Sequence, residues 1–200
     1  MKHLALGRIL DTYWTANLER RTLLLLSDTH GTLEPRIAAR AARVDVVVHA
    51  GDIGSSSVLD TLELNCEQVI AIRGNNDVSA KWAVEERRRL EALPRETTLS
   101  LPGGLLVVVH GDQHGAGEAR QRRLRRQYAD ARAVVFGHSH QRVLDRKQWP
   151  MLLNPGAAGA VRTYGGPSFM MLHATSDGRW SVRSHRYMNY TGERPSRLNR

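Results

Sequence analysis

Residues 22–31, TLLLLSDTHG, decide the fold. The four side chains after Thr22 are all leucine and show no alternation of apolar and polar. Such a run is what a strand looks like when both of its faces are covered, as in the parallel sheet of an α/β protein. A carboxylate, an imidazole and a glycine follow at once, as Asp28, His30 and Gly31. The pattern then recurs: VDVVVHA (44–50) precedes Gly51-Asp52, and QVIAI (68–72) precedes Arg73-Gly74-Asn75-Asn76-Asp77. LLVVVH (105–110) ends on His110-Gly111-Asp112, and AVVF (133–136) precedes Gly137-His138-Ser139-His140.

Amphipathic helix segments are expected between these strands, at 34–43 with Pro35 near its start, 56–65, 81–93 and 118–131. From Glu96 the pattern becomes strand-rich. A hairpin is expected over 96–101 and 105–110 around Gly103-Gly104. Strands at 142–145, 151–154, 168–174 and 180–187 follow, the last two joined by a turn at Ser176-Asp177-Gly178. The order βαβαβα followed by a β-rich half predicts one domain over residues 22–190. Residues 1–21 then form an N-terminal extension and 191–200 a basic tail.

Composition narrows the class. Apolar residues make up 41 % of 200, enough for one sizeable core. No run reaches about 18 apolar residues, so no transmembrane helix is expected. The start of the chain lacks an apolar signal-peptide core. The single Cys66 excludes an internal disulfide and suits a reducing cytoplasm. The net charge of +9 favours anionic ligands. All but three of the basic residues are arginines, a uniform preference that genome composition could explain as well as a binding face.

In an open α/β sheet the carboxyl ends of the strands form one crevice, so the five motifs converge there. Any one of them is an ordinary turn string. Five in chain order, with four histidines among them, exceed what turns require. Asp28, His30, Asp52, Asn75, His110, His138 and His140 offer seven oxygen and nitrogen ligands. That number is too large for one transition metal and suits two that share a carboxylate. The mix fits Mn, Fe, Zn, Co or Ni, with manganese the first choice, and argues against a purely Mg site. Two divalent ions against two carboxylates leave the centre positive by about two, which attracts phosphate. Asn75 would add a ligand without cancelling that charge.

SDTHG, HAGDI, RGNND, HGDQHG, GHSH and Asn154-Pro155-Gly156, in this order, resemble the calcineurin-like metallophosphoesterases, and most closely their small bacterial and archaeal phosphodiesterase branch. The resemblance spans about Leu23 to Gly156. It implies an α/β (α+β) fold, a four-layer α-β-β-α sandwich of two mixed β-sheets flanked by helices. It also implies a binuclear-metal-dependent phosphoesterase, more specifically a phosphodiesterase, acting on small or nucleotide-like phosphate esters. One metal would take Asp28, His30 and His140, the other Asn75, His110 and His138, with Asp52 bridging. A metal-bridging hydroxide would attack phosphorus in line, with metals about 3.5–4 Å apart.

The sequence departs from the family at two points. Where many members carry a proton-donating histidine, this chain has Asn76. An amide gives a hydrogen bond but no proton. Asn76 is therefore read as both a catalytic and a substrate-binding residue, with a preference for leaving groups of low pKa. Relatives often carry histidine at the position of Asp112; His114 is the substitute proton donor candidate, with a solvated loop histidine as the alternative. Asp77 is read either as a turn cap or as a partner behind the metal ligands. His49 is read either as a partner behind the ligands or simply as a polar residue in a strand. Arg142 could clamp phosphate or lie on the surface. Asn154-Pro155-Gly156 should shape the loop under the metals. The arginine-rich helix at 118–131 would suit nucleic acid, but no aromatic residues interleave with its charges, so a solvated face is favoured there and at Arg87-Arg88-Arg89. Two further readings remain open: a protein-interaction scaffold of the same fold, resembling a retromer subunit, and a nuclease using the basic helix.

Overall fold

The structure, a computed structural model, describes residues 19–188. The expected tail at 191–200 and nearly all of the expected extension lie outside them. Strand β1, Arg20–Leu26, starts two residues before Thr22, because Arg20 and Arg21 pair with Thr175 and Ala174.

The first five-stranded sheet has the order β10-β9-β1-β2-β3. Its parallel members are β1, β2 (Val46–His49) and β3 (Val69–Ala71). Strands β9 (Ser168–Thr175) and β10 (Trp180–Arg186) run antiparallel beside β1. The second sheet has the order β4-β5-β6-β8-β7. Here β5 (Gly104–Val109), β6 (Ala133–Val135) and β8 (Met151–Asn154) are parallel. Strands β4 (Glu96–Leu101) and β7 (Val143–Asp145) pair antiparallel at the edges. Both sheets are mixed, as the resemblance implies.

The near-continuous apolar runs are divided by the pleat. Leu23 and Leu25 of β1 face the second sheet, with Val46, Val48, Leu106, Val108 and Val135. Leu24 and Leu26 face helices α1 (Pro35–Ala41) and α2 (Ser56–Glu63). On the far side, Val107, Val134 and Leu152 pack on Leu124 of α4 (Gly117–Gln127). Four layers result, helix, sheet, sheet, helix. Among the described residues no helix is long and apolar enough to cross a membrane.

The helix expected at 81–93 is shorter. Lys81 N–H closes a turn onto the Val78 carbonyl, Trp82 is buried, and a 3-10 turn at Val84–Glu86 precedes α3, Arg87–Ala92. The Trp82 indole N–H donates to Asp77 Oδ1 at 3.2 Å, which anchors the chain before the helix begins. Helix α4 stops at Gln127, where Tyr128 leaves helical geometry and its hydroxyl donates to Glu96 Oε2 at 2.6 Å.

Leu25 is fully buried between the sheets. Leu25→Ala should lower unfolding stability by about 2–5 kcal/mol, read from urea midpoints at constant m-value.

Candidate metal centre

The six parallel strands, three in each sheet, end on one side of the molecule. Backbone bonds join the loops at these strand ends. Ser27 bridges to Ala157 beyond β8, and Gly137 N–H donates to the His110 carbonyl. Asp28 N–H donates to the Gly51 carbonyl and His30 N–H to Asp52, each about one strand away. Two glycines allow this packing. A Cβ on Gly137 would lie 2.9 Å from Asp28 Oδ2, and one on Gly74 2.3 Å from Asp52 Oδ1.

Asp28, His30, Asp52, His138 and His140 all adopt left-handed backbone, with φ between 48° and 65°. Each such residue costs on the order of 1–3 kcal/mol, and this strain clusters where surrounding contacts over-determine it and function uses it. The effect is to turn the side chain that follows each strand back over the strand end.

Asp28, His30, Asp52 and His140 place one ligand atom each within 4.8 Å of one another. His30 Nε2 lies 3.0 Å from His140 Nε2, and His140 Nε2 lies 3.5 Å from Asp28 Oδ1. Beside them, Asn75 Oδ1 is 2.8 Å from His138 Nδ1 and 3.1 Å from His110 Nε2. Asp52 faces both groups: Oδ2 is 3.8 Å from His30 Nε2, and Oδ1 is 3.3 Å from His110 Nε2. The structure therefore brings together all seven side chains that the strand ends predict. Asp28, Asp52, His110 and His140 form the buried floor, and Asn75 and His138 the open side.

The imidazoles are held from behind. His110 Nδ1 donates to the Ala50 carbonyl at 2.8 Å, and His140 Nδ1 to the Val161 carbonyl at 3.2 Å. Each Nε2 is thereby directed into the cluster. His110 Nε2 then faces two oxygen acceptors, an arrangement that calls for positive charge between them. The protonation of the cluster reflects this. Burial pushes the Asp28 carboxyl up to about 7. Burial would lower the His110 imidazole, but its hydrogen bond and charge pairing with Asp52 outweigh that and hold it at about 9. Two groups thus bind protons at a place where the donor set suits cations. Burial, reinforced by the Arg162 charge, brings His140 down to about 4, leaving it neutral and able to ligate. The oxygen and nitrogen donors fit divalent metal.

The remaining expected residues divide. Asn76 is part of the cluster: its backbone N–H donates to Asp52 Oδ1 at 2.8 Å and its Nδ2 to Asp52 Oδ2 at 2.7 Å. Lys81 Nζ donates to Asn76 Oδ1, which fixes the amide orientation. Asp77 touches none of the ligand side chains. Its carboxylate instead accepts from the backbone N–H groups of Ile53, Gly54 and Gly74 at 2.8–3.0 Å and braces both ligand loops. His114 does not reach the cluster, because the 3-10 turn Asp112–His114 carries it toward α4, where Nε2 meets Gln127 Oε1 at 3.1 Å. Arg142 reaches Ser184 Oγ at 3.5 Å and makes no hydrogen bond to the cluster. Asn154 supports the GHSH loop by donating to the Gly137 carbonyl at 2.8 Å and the Ser139 hydroxyl at 3.1 Å.

Arg162 is the residue that sequence reasoning missed. Its Nη2 lies 3.1 Å from His140 Nε2, and its φ is 49°. The available signal was its place in a glycine-flanked loop, Gly159 to Gly166, that follows Asn154-Pro155-Gly156.

A calcineurin-like phosphoesterase superfamily domain model matches residues 22–177. A probable metallophosphoesterase of Methanocaldococcus jannaschii is 27 % identical over 144 residues, covering 69 % of this chain and 68 % of its own. The probable metallophosphoesterase YsnB of Bacillus subtilis is 27 % identical over 159 residues, covering 78 % and 85 %. Among solved structures, vacuolar protein sorting 29 from Cryptosporidium parvum aligns with a TM-score of 0.67 at 18 % identity, over 86 % of this chain and 100 % of that one. An archaeal phosphodiesterase aligns with a TM-score of 0.59 at 21 % identity, over 82 % and 99 %. At such identities these two structures show the fold alone.

His49 sits under the cluster. Its Nδ1 accepts from Gly51 N–H at 3.2 Å, so Nε2 carries the proton and donates to Thr29 Oγ1 at 2.9 Å. Thr29 in turn donates to the Ile53 carbonyl. Burial, with help from the His110 charge, pushes His49 down to about 3. The folded state therefore refuses a proton that the unfolded chain takes up near pH 6.5. The resulting stability is complete above that pH and is lost as pH falls toward 3. His49→Gln should reduce the loss of stability between pH 7.5 and 5.5 by about 1.4 kcal/mol, measured by urea unfolding at both pH values.

Proposed function

The chain belongs to the calcineurin-like phosphoesterase superfamily, and we propose that it is a hydrolase that uses two divalent cations to cleave phosphodiesters of small or nucleotide-like molecules. The observation that carries this reading is Asp52, whose two oxygens face separate ligand groups. Asp28, His30 and His140 would hold one cation, Asn75, His110 and His138 the other, and Asp52 both. Manganese is the first choice, and Fe, Zn, Co or Ni share the same donors. Bound, the cations supply Lewis acidity toward water and the phosphoryl oxygens.

The chain's own groups orient the ester. One Nδ2–H of Asn76 is held on Asp52, and the other is free for a phosphoryl oxygen. Lys81 keeps the amide from flipping. Arg162, poised at His140, would bind a second phosphoryl oxygen once a cation takes the imidazole lone pair. Asn76 supplies no proton, so esters with leaving groups of low pKa should react fastest. A neutral amide in place of a cationic imidazole also favours a monoanionic diester over a dianionic monoester. The likeness to vacuolar protein sorting 29 motivates a second reading, a protein-interaction scaffold of the same fold. A scaffold needs no bound metal and no turnover.

Hydrolysis of bis(p-nitrophenyl) phosphate should require Mn²⁺, stop with chelator, and exceed that of the monoester. Asn75→Ala should lose bound metal together with rate. Asn76→Ala and Arg162→Ala should each keep metal and lose rate, by on the order of 100-fold for Asn76. Equal metal loss in the Asn75 and Asn76 variants would overturn the separation of the two amides. No metal-dependent turnover of either ester would overturn the enzyme.

A further inference from the structure

The arginines of α4 divide by face. Arg122 pairs with Glu118 at 3.4 Å and Arg125 with Asp145 at 2.7 Å. Arg123 and Arg126, one turn apart on the adjacent face, make no side-chain hydrogen bond or ion pair among the described residues. Together with Gln113, His114 and Glu96 they line a cleft of about 230 Å³. A smaller cavity shares Glu96, Gln113 and His114 with it and continues to Arg73, Arg95 and the candidate ligand His110. The two adjoin at these three side chains and together make a groove between His110 and α4.

Arg73 and Arg95 are likewise without a side-chain partner among the described residues. Arg73 Nε and His114 Nδ1 are buried with nothing to bond. Buried polar atoms of this kind are few in folded proteins, and a missing bound group is one of their explanations. Four guanidinium groups face two carboxylates, and one of those, Glu96, is already occupied by the Tyr128 hydroxyl at 2.6 Å. Guanidinium clusters are suited to phosphate oxygens. The cleft's volume suits a compact anion, and among the described residues no Phe, Tyr or Trp lines it as a stacking platform for a nucleic-acid strand.

We propose that this groove is a second anion site, which binds a phosphate carried by the part of the substrate that does not react. The substrates are then phosphodiesters of the nucleotide class that bear a further phosphate group. The site's place in a reaction rests on the phosphodiesterase reading above; its capacity to bind an anion does not.

The probe for binding is inorganic pyrophosphate, titrated calorimetrically into the full-length protein after chelator treatment. Wild type should bind it, more weakly as salt rises. Arg123→Ala/Arg126→Ala should weaken binding by about tenfold or more, and Arg88→Ala/Arg122→Ala, which removes equal charge elsewhere, should leave it unchanged. No binding by wild type, binding retained in the first double variant, or equal loss in both variants would overturn the proposal. The kinetic probe is the Mn²⁺-loaded enzyme with thymidine 5′-(p-nitrophenyl phosphate) and its 3′-phosphorylated form. Wild type should prefer the latter by about tenfold in kcat/KM, and Arg123→Ala/Arg126→Ala should bring that ratio to about one. A ratio of one in wild type, or a preference that survives the double substitution, would overturn the substrate class. Pyrophosphate binding without turnover of either ester would overturn the phosphodiesterase reading and support the anion site.

Discussion

The left-handed turns that follow β1, β2 and β6 are the constraint on which the molecule depends. Asp28, His30, Asp52, His138 and His140 all sit in a backbone region that L-residues avoid. A strand that continued straight would send its last side chain into solvent or a loop. The turn directs it over the sheet edge instead, toward its counterparts from the other sheet. What holds these turns is the rest of the fold: hydrogen bonds between adjacent loops, the Asp77 carboxylate beneath two of them, and glycines that let the sheets approach within contact of the ligands. The apolar layers on either side supply the stability that offsets the strain.

The strands were legible because their patterns were unambiguous. Runs such as Leu23–Leu26 and Val46–Val48 are apolar at every position, and the pleat uses both faces. The convergence of the ligand residues within each sheet followed from strand order, since parallel strands present the same end; that the ends of two sheets meet was implied only by the family resemblance. Side-chain aim outside strands was not legible. Asp77 and His114 carry the right chemistry, but one braces backbone and the other leans on α4, and only tertiary hydrogen bonds decide that. Arg162 lies in a loop whose path depends on Gly159 packing against Thr29 and Thr32. The helix expected at 81–93 was shortened by Trp82, whose burial in the apolar cluster of β1 and α2 is a tertiary preference that local periodicity does not encode.

The charge on α4 illustrates the same division. Composition counts five arginines between Arg120 and Arg126 and suggests one solvated face. In the fold they take three environments. Arg120 is buried, with Nε on the Gly115 carbonyl at 2.8 Å; Arg122 and Arg125 are neutralised by acids; Arg123 and Arg126 face a groove. Helical spacing separates them, but Asp145 beside Arg125 and Glu96 beside Arg123 and Arg126 come from distant strands.

The central claim is that Asp52 joins two cations into one centre. Electron paramagnetic resonance of the protein titrated with Mn²⁺ tests it most directly. Uptake of two ions per chain, with an exchange-coupled spectrum that replaces the isolated-ion signal at full loading, is the predicted result. Saturation at one ion per chain, or two ions that remain magnetically independent, would contradict it.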